Sequence, residues 1–231
     1  MALPGVRSIW RALISAYARV VYSRRQAALC IERWGGITLV VLPHVFDGIL
    51  LRSGKFLAQS LSADLIVREA RVLDVGTGSG LNAIRAAQLG AQVVAVDINP
   101  ESVRCAQINA LINHVEDRVQ VRLGDLFAPA RDGRFDVILF NPPFFQGMPR
   151  GWLDQAWRGT DVFERFLAGL DEVLAPRGSA LVILSSDGDL LPALQSMETR
   201  GWRIAVVAAQ DLINEVLTVY HIERAEDVGQ P

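Results

Sequence analysis

The chain has 231 residues, 51% hydrophobic, 21% charged and 7% aromatic, a composition that excludes disordered and fibrous classes and leaves room for one substantial core. A formal net charge of -2 excludes the global positive field that holds a protein on bulk nucleic acid or an anionic membrane. Cys30 and Cys105 stand 75 positions apart without a CxxC spacing, which excludes a cysteine-ligated zinc site and a disulfide framework and fits a reducing cytoplasm. No apolar run reaches the roughly 18 residues of a membrane span, and no metal site is expected.

Charge is unevenly spread. Residues 1–35 carry Arg7, Arg11, Arg19, Arg24, Arg25 and Arg33 against Glu32, a net +5 that leaves -7 on the remainder. Val6, Ile9, Trp10, Leu13, Ile14, Tyr17, Val20 and Val21 recur every three or four residues, so the segment is predicted as a basic amphipathic helix. Two uses fit it: a helix packed on the domain, its arginines facing RNA or a protein, or a transit peptide. From Gly35-Gly36 onward short apolar runs alternate with helical stretches, the pattern of a doubly wound α/β unit over 36–223. An extended lead-in at 37–42 precedes a helix at 54–65 whose apolar face is Phe56, Leu57, Leu61 and Leu65. A strand at 71–75 leads through a glycine loop to a helix at 81–89, and a second strand follows at 92–97. Asn99-Pro100 then starts a helix to Asn113, asparagine as cap and proline at the first position, where its missing N–H is harmless. Further strands are predicted at 119–123, 135–140 and 180–185, and helices at 162–174 and 190–200. The runs at 202–208 and 216–222 are too close for a parallel crossover, so they form an antiparallel pair. The expected fold is a seven-stranded, mostly parallel sheet ending in an antiparallel hairpin, with a polar tail at 224–231.

The sharpest local signal is Asp74-Val75-Gly76-Thr77-Gly78-Ser79-Gly80, between a buried strand and a helix. Glycines let a ligand lie directly on the backbone, and the following helix offers its free N–H groups. A dinucleotide loop needs a third glycine where Leu81 stands. Asp74 would repel a pyrophosphate and attract an ammonium group. Asp97 ends the next strand, 23 residues after Asp74, where a carboxylate accepts from both hydroxyls of a ribose. Asp125, in Gly124-Asp125-Leu126-Phe127, is placed to accept from an exocyclic amine, with Leu126 or Phe127 against an adenine face. Ammonium, ribose and adenine together describe S-adenosylmethionine.

On these motifs the chain resembles the class I S-adenosylmethionine-dependent methyltransferases over roughly residues 36–223. The resemblance implies a Rossmann-like fold and cofactor contacts at Gly76, Thr77, Gly78, Gly80, Ile98 and Asn141 beside the three acids. Asn141-Pro142-Pro143-Phe144, after the fourth strand, is open to reading as a polar turn. It also resembles the catalytic signature of amino-methyltransferases, among them release-factor glutamine, adenine-amino and "small" ribosomal and tRNA enzymes. That likeness implies that the Asn141 side chain and Pro142 carbonyl accept from a planar NH2 while Phe144 stacks on the target. An amide nitrogen is a poor nucleophile because its lone pair is delocalised, and accepting both hydrogens favours the pyramidal form. The segments 42–47 and 53–57 resemble the stretch that closes over cofactor and acceptor in the same group, which makes Phe46 and Ser53 neighbours of the site. His44, His114 and His221 are isolated, and none stands out as a general base. Gln146, Arg150, Trp152, Trp157 and Arg158, in the loop 145–160, either grip a substrate or fold back on the core. The expected activity is N-methylation of an amino or amide nitrogen in a macromolecule, a protein glutamine or an RNA or DNA base. A biosynthetic small-molecule N-methyltransferase and a catalytically silent cofactor-binding scaffold are the alternatives.

Overall fold

The structure, a computed structural model, describes residues 28–212 and 215–225, with backbone alone at 152 and 153. The expected helix in the first 27 residues lies outside them. In chain order the elements are β1 (Cys30–Trp34), β2 (Ile37–Val41), α1 (Arg52–Ser60), β3 (Arg71–Val75), α2 (Leu81–Gln88), β4 (Gln92–Asp97), α3 (Pro100–Ile112), β5 (Val119–Leu123), β6 (Phe135–Phe140), β7 (Phe145–Gln146), α4 (Trp152–Gln155), β8 (Arg158–Gly159), α5 (Val162–Val173), β9 (Leu174–Ser185), α6 (Leu191–Gln195), β10 (Trp202–Asp211) and β11 (Val216–Arg224).

Seven strands form one sheet in the order β10-β11-β9-β6-β3-β4-β5. The strands β3, β4, β5, β6 and β9 run parallel, and β11 lies antiparallel to both of its neighbours. A parallel sheet is buried on both faces, so its strands carry apolar residues at successive positions. Val72, Val137, Leu139, Leu181 and Ile183 join the core under α1, α2 and α3, while Leu73, Val75, Ile138, Phe140 and Val182 join a second core under α5 and α6. In that second layer Phe140 and Phe166 stack with centroids 4.2 Å apart. The chain goes from β3 outward to β5, then returns to β6 on the other side of β3. Ligands bind at such a reversal, outside the carboxyl ends of the strands.

Part of the basic segment falls among the described residues, and there it is a strand: Cys30–Trp34 pairs with Ile37–Val41 across Gly35 and Gly36. Both glycines have positive φ, +56° and +82°, which a two-residue hairpin turn requires and which only glycine adopts without strain. The hairpin is zipped onto α3 by two asparagines. Asn109 accepts from the N–H of Val40 at 2.8 Å and donates to its carbonyl at 2.9 Å, and Asn113 makes the same pair with Thr38 at 2.9 and 2.7 Å. Elsewhere α1 starts and stops earlier than its expected 54–65, β9 begins six residues before 180, and the expected helix at 190–200 is α6 plus a 3-10 turn at Glu198–Arg200. Arg224, expected to open the tail, is the last residue of β11.

Candidate active site

The carboxyl ends of β3, β4 and β6 and the turn after β5 open into a cavity of about 250 Å³, roofed by the chain between Pro149 and Val162. Asp97 organises its floor. Its Oδ2 accepts from the Gly78 N–H at 2.8 Å and its Oδ1 from the Asn99 N–H at 2.9 Å, so one carboxylate ties the glycine loop to the start of α3. Burial pushes the Asp97 carboxyl above its ordinary range against these bonds. The loop turns through positive φ at Gly76, Gly78 and Gly80, at +66°, +55° and +87°. A Cβ on Gly80 would lie 3.2 Å from the Ala106 backbone, so this glycine serves loop-to-helix packing, and it does not line the cavity. At Gly76 the nearest atom to an added Cβ is Phe140 Cε2, 3.9 Å away, which leaves the backbone bare on its cavity side.

Five of the expected site residues, Asp74, Thr77, Gly80, Pro142 and Phe144, do not line the cavity. Asp74 is 1% exposed and does not line the cavity; its Oδ2 accepts from the Thr77 hydroxyl at 2.6 Å, beneath the loop. Direct contact with a ligand ammonium is therefore corrected to a role in bracing the loop, which Thr77 shares. Burial raises the Asp74 carboxyl to about 7, opposed by hydrogen bonds from Thr77 and the Ala83 N–H and assisted by the charge of Asp97. Phe144 is 8% exposed and belongs to the core, so its expected stacking on the target is likewise corrected. The reason is the two-residue alternation of an extended segment. Asn141 and Pro143 line the cavity, whereas the Pro142 side chain and Phe144 are buried on the other side.

Asp97, Ile98, Asp125, Leu126, Gly76, Gly78 and Asn141 all come together around the cavity. Ile98 is 43% exposed, an apolar face offered to a ligand, and Leu126 holds a left-handed φ of +46° in the turn after β5. Asp125 carries an ion pair: its Oδ2 meets Arg165 Nη1 at 2.6 Å, and Arg165 Nε reaches Asp161 at 3.1 Å. Arg165, from α5, was missed in the sequence, where its only signal is the four-residue spacing from Asp161. At the other end, Asn141 Nδ2 donates to Ser53 Oγ at 3.2 Å, joining positions 88 residues apart. Phe46 lines the cavity and its ring lies 6.3 Å from that of Trp157, so the roof loop folds back on the site. Arg158 is paired with Asp154 at 3.6 Å, and Gln146 with Glu164 at 3.1 Å.

A bare glycine backbone, a buried carboxylate beside it, a second carboxylate one strand away and two apolar faces suit a cationic ribonucleoside. Phosphate finds no suitable partner among these acids. This fold and site define the class of S-adenosylmethionine-dependent methyltransferases. The chain belongs to the methyltransferase small domain family, whose model matches residues 36–210. A protein of Methanocaldococcus jannaschii, provisionally named a protein N5-glutamine methyltransferase, is 30% identical over 202 residues, covering 82% of this chain and 96% of that one. A tRNA1(Val) (adenine(37)-N6)-methyltransferase of Serratia proteamaculans is 32% identical over 170 residues, covering 69% of this chain and 61% of that one. The fold of a T. thermophilus 16S rRNA N2 methyltransferase, solved with AdoMet and guanosine, superposes with a TM-score of 0.67 at 24% identity, covering 85% of this chain and 50% of that one. Among the described residues no helix is long and apolar enough to cross a membrane.

Proposed function

We propose that the protein transfers the methyl group of S-adenosylmethionine to the side-chain amide nitrogen of a protein glutamine, in the cytoplasm. The observation that carries the reading is Asn141, whose carboxamide lines the cavity with its NH2 end already bonded to Ser53. The oxygen end is then the one available to an acceptor NH2, and the Pro142 carbonyl is the second acceptor. Holding both hydrogens fixes the plane of the acceptor amide and favours the lone-pair-bearing form of its nitrogen. Gly76 and Gly78 would hold the cofactor, with Asp97 on its ribose and Asp125 with Ile98 and Leu126 on its adenine. When bound, it supplies a methyl carbon on a sulfonium, which already carries its leaving group. Positioning contributes on the order of 7 to 11 kcal/mol to such a displacement. The roof loop narrows the access of water.

Charge favours a protein acceptor. Both arginines that line the cavity are matched by acids, Arg158 by Asp154 and Arg165 by Asp125 and Asp161, which disfavours a phosphate backbone at this mouth. The relative covered over nearly its full length, with a glutamine named as its target, supports the same choice. Methylation of a base amino group is the second reading, favoured by the +5 charge of residues 1–35, the N-terminal segment expected to contact RNA or protein.

The deciding experiment supplies labelled S-adenosylmethionine to fractionated lysate. Label should enter protein and be released as methylamine on acid hydrolysis, as an N-methylated carboxamide requires. Asn141→Ala should lower turnover by about 100- to 1,000-fold, the scale of losing one preorganised polar contact, with cofactor affinity within about twofold of wild type. Label in nucleosides or in small molecules, or full activity in the variant, overturns the reading.

A further inference from the structure

We propose that Ser53 is a positioning residue for methyl transfer, its hydroxyl anchoring the Asn141 carboxamide at the acceptor end of the cavity. The inference rests on the reading of Asn141 above and deepens it. A carboxamide has two ends of nearly the same shape, and a half-turn about its last bond exchanges an acceptor oxygen for a donor NH2. Only the oxygen end serves an acceptor amide, and a hydroxyl bonds either end, so Ser53 fixes where the carboxamide sits while the acceptor NH2 itself selects the oxygen. Ser53 Oγ receives Asn141 Nδ2 at 3.2 Å, and Ser53 is 9% exposed, so water competes weakly for this bond.

The mount behind Ser53 is rigid. A Cβ on the next residue, Gly54, would lie 2.7 Å from the Gly48 carbonyl oxygen and 2.9 Å from its Cα, so the first turn of α1 sits directly on the turn at 47–50. That turn is fixed by Asp47, whose Oδ1 accepts from the N–H groups of Ile49 at 3.0 Å and Leu50 at 2.9 Å. It is joined to the glycine loop twice. The Gly48 N–H donates to Ser79 Oγ at 3.2 Å, and the Ser79 N–H donates to the Phe46 carbonyl at 3.2 Å. One continuous set of contacts therefore runs from the cofactor loop through residues 46–54 to the acceptor group. Through it Ser53 holds Asn141 in register with the cofactor loop, where a shift of about 1 Å is worth on the order of 100-fold in rate.

The test uses the full chain with labelled S-adenosylmethionine at saturation and the protein fraction of lysate as the titrated acceptor. Ser53→Ala should lower kcat about tenfold, with the apparent KM for acceptor, the cofactor Kd and the thermal midpoint close to wild type. Ser53→Thr keeps the oxygen and should recover most of the rate. Wild-type kcat in Ser53→Ala overturns the proposal. So does an equal loss in both variants accompanied by lower cofactor affinity or a lower midpoint, which marks a merely structural residue. Absence of labelled methylamine with the wild-type enzyme strikes the glutamine reading itself, and it is visible before either variant is assayed.

Discussion

The two ends of the cavity are built by different means. The cofactor end is made of backbone and carboxylates at the ends of adjacent parallel strands, with Asp97 bonded to two N–H groups of neighbouring segments. The acceptor end is assembled from side chains on segments far apart in sequence, Phe46, Ser53 and Asn141, under a roof joined to the rest by the two-residue pairing of β8 with β7 and by the ring contact of Trp157 with Phe46. That attachment is short beside the five-stranded parallel ladder under the floor, so the roof is freer to change with the acceptor than the floor is. An invariant ligand suits geometry carried by the sheet; a variable one suits geometry carried by loops.

The contrast breaks most visibly at Gly78. Its φ of +55° places it in the left-handed region, and an added Cβ would lie 3.1 Å from Phe46 Cβ and 3.2 Å from the Phe46 carbonyl. Gly78→Ala should cost about 1 to 2 kcal/mol in stability from the backbone alone. Cofactor affinity should fall on the order of 100-fold, or about 2.7 kcal/mol, because the loop must shift away from Asp97. Calorimetry with S-adenosylmethionine and thermal unfolding report the two effects. Unchanged affinity would mean that the loop is as adaptable as the roof.

Much of this contrast was legible in the chain. Strands β3, β4 and β6 lie where their apolar runs placed them, because a strand buried on both faces reads as a continuous apolar run; β5, a partly exposed edge strand, also keeps its expected bounds. Strand β1 was obscured: Cys30–Trp34 sits in an arginine-rich segment and alternates weakly, and Gly35-Gly36 looked like a boundary when it is a hairpin turn. The early start of β9 depends on Gly178, where an added Cβ would meet the Phe135 carbonyl oxygen at 2.6 Å, a tertiary contact with no local signature. At the site, motif spacing located Asp97, Asp125 and Asn141 at the cavity. Asp74 and Phe144 were placed in the right loops with the wrong orientation, because spacing identifies a strand end but the pleat decides which side each residue faces. The partnerships of Arg165 with Asp125 and of Ser53 with Asn141 join distant positions, 40 and 88 residues apart.

A pH titration sharpens the account of the floor. The Asp74 carboxyl, normally near 3.8, is raised to about 7 by burial. Between those values the unfolded chain releases a proton that the folded chain keeps, so the contribution of Asp74 to stability is fully present below about pH 4 and is lost as pH rises through 7. Asp74→Asn cannot ionise. Its thermal midpoint relative to wild type should therefore rise steadily from pH 5 to pH 8. Affinity of the wild type for the cationic cofactor should also strengthen through pH 7, since the ligand favours the ionised carboxylate, and this rise should flatten in the variant. Parallel pH profiles for the two proteins would show that Asp74 is ionised throughout.

The smallest effect falls where the two ends meet. Arg165 reaches from α5, at the roof, to Asp125, at the floor, and the pair is nearly half exposed, with side-chain accessibilities of 45% and 43%. Arg165 is held charged by its hydrogen bond to Asp125, and its tie to Asp161 keeps it over the cavity. The ion pair uses Oδ2 of Asp125, so in the proposed cofactor pose Oδ1 is the oxygen left for the exocyclic amine of an adenine. An Arg165→Ala variant loses that orientation while the carboxylate remains, so cofactor affinity should drop only about threefold, the scale of an exposed ion pair. Raising salt should weaken wild-type binding toward that of the variant, because exposed pairs are screened over about 10 Å at 0.1 M. Tighter binding in Arg165→Ala would reverse the assignment, making Arg165 a competitor for Asp125 and placing the cofactor end, too, under the control of the roof.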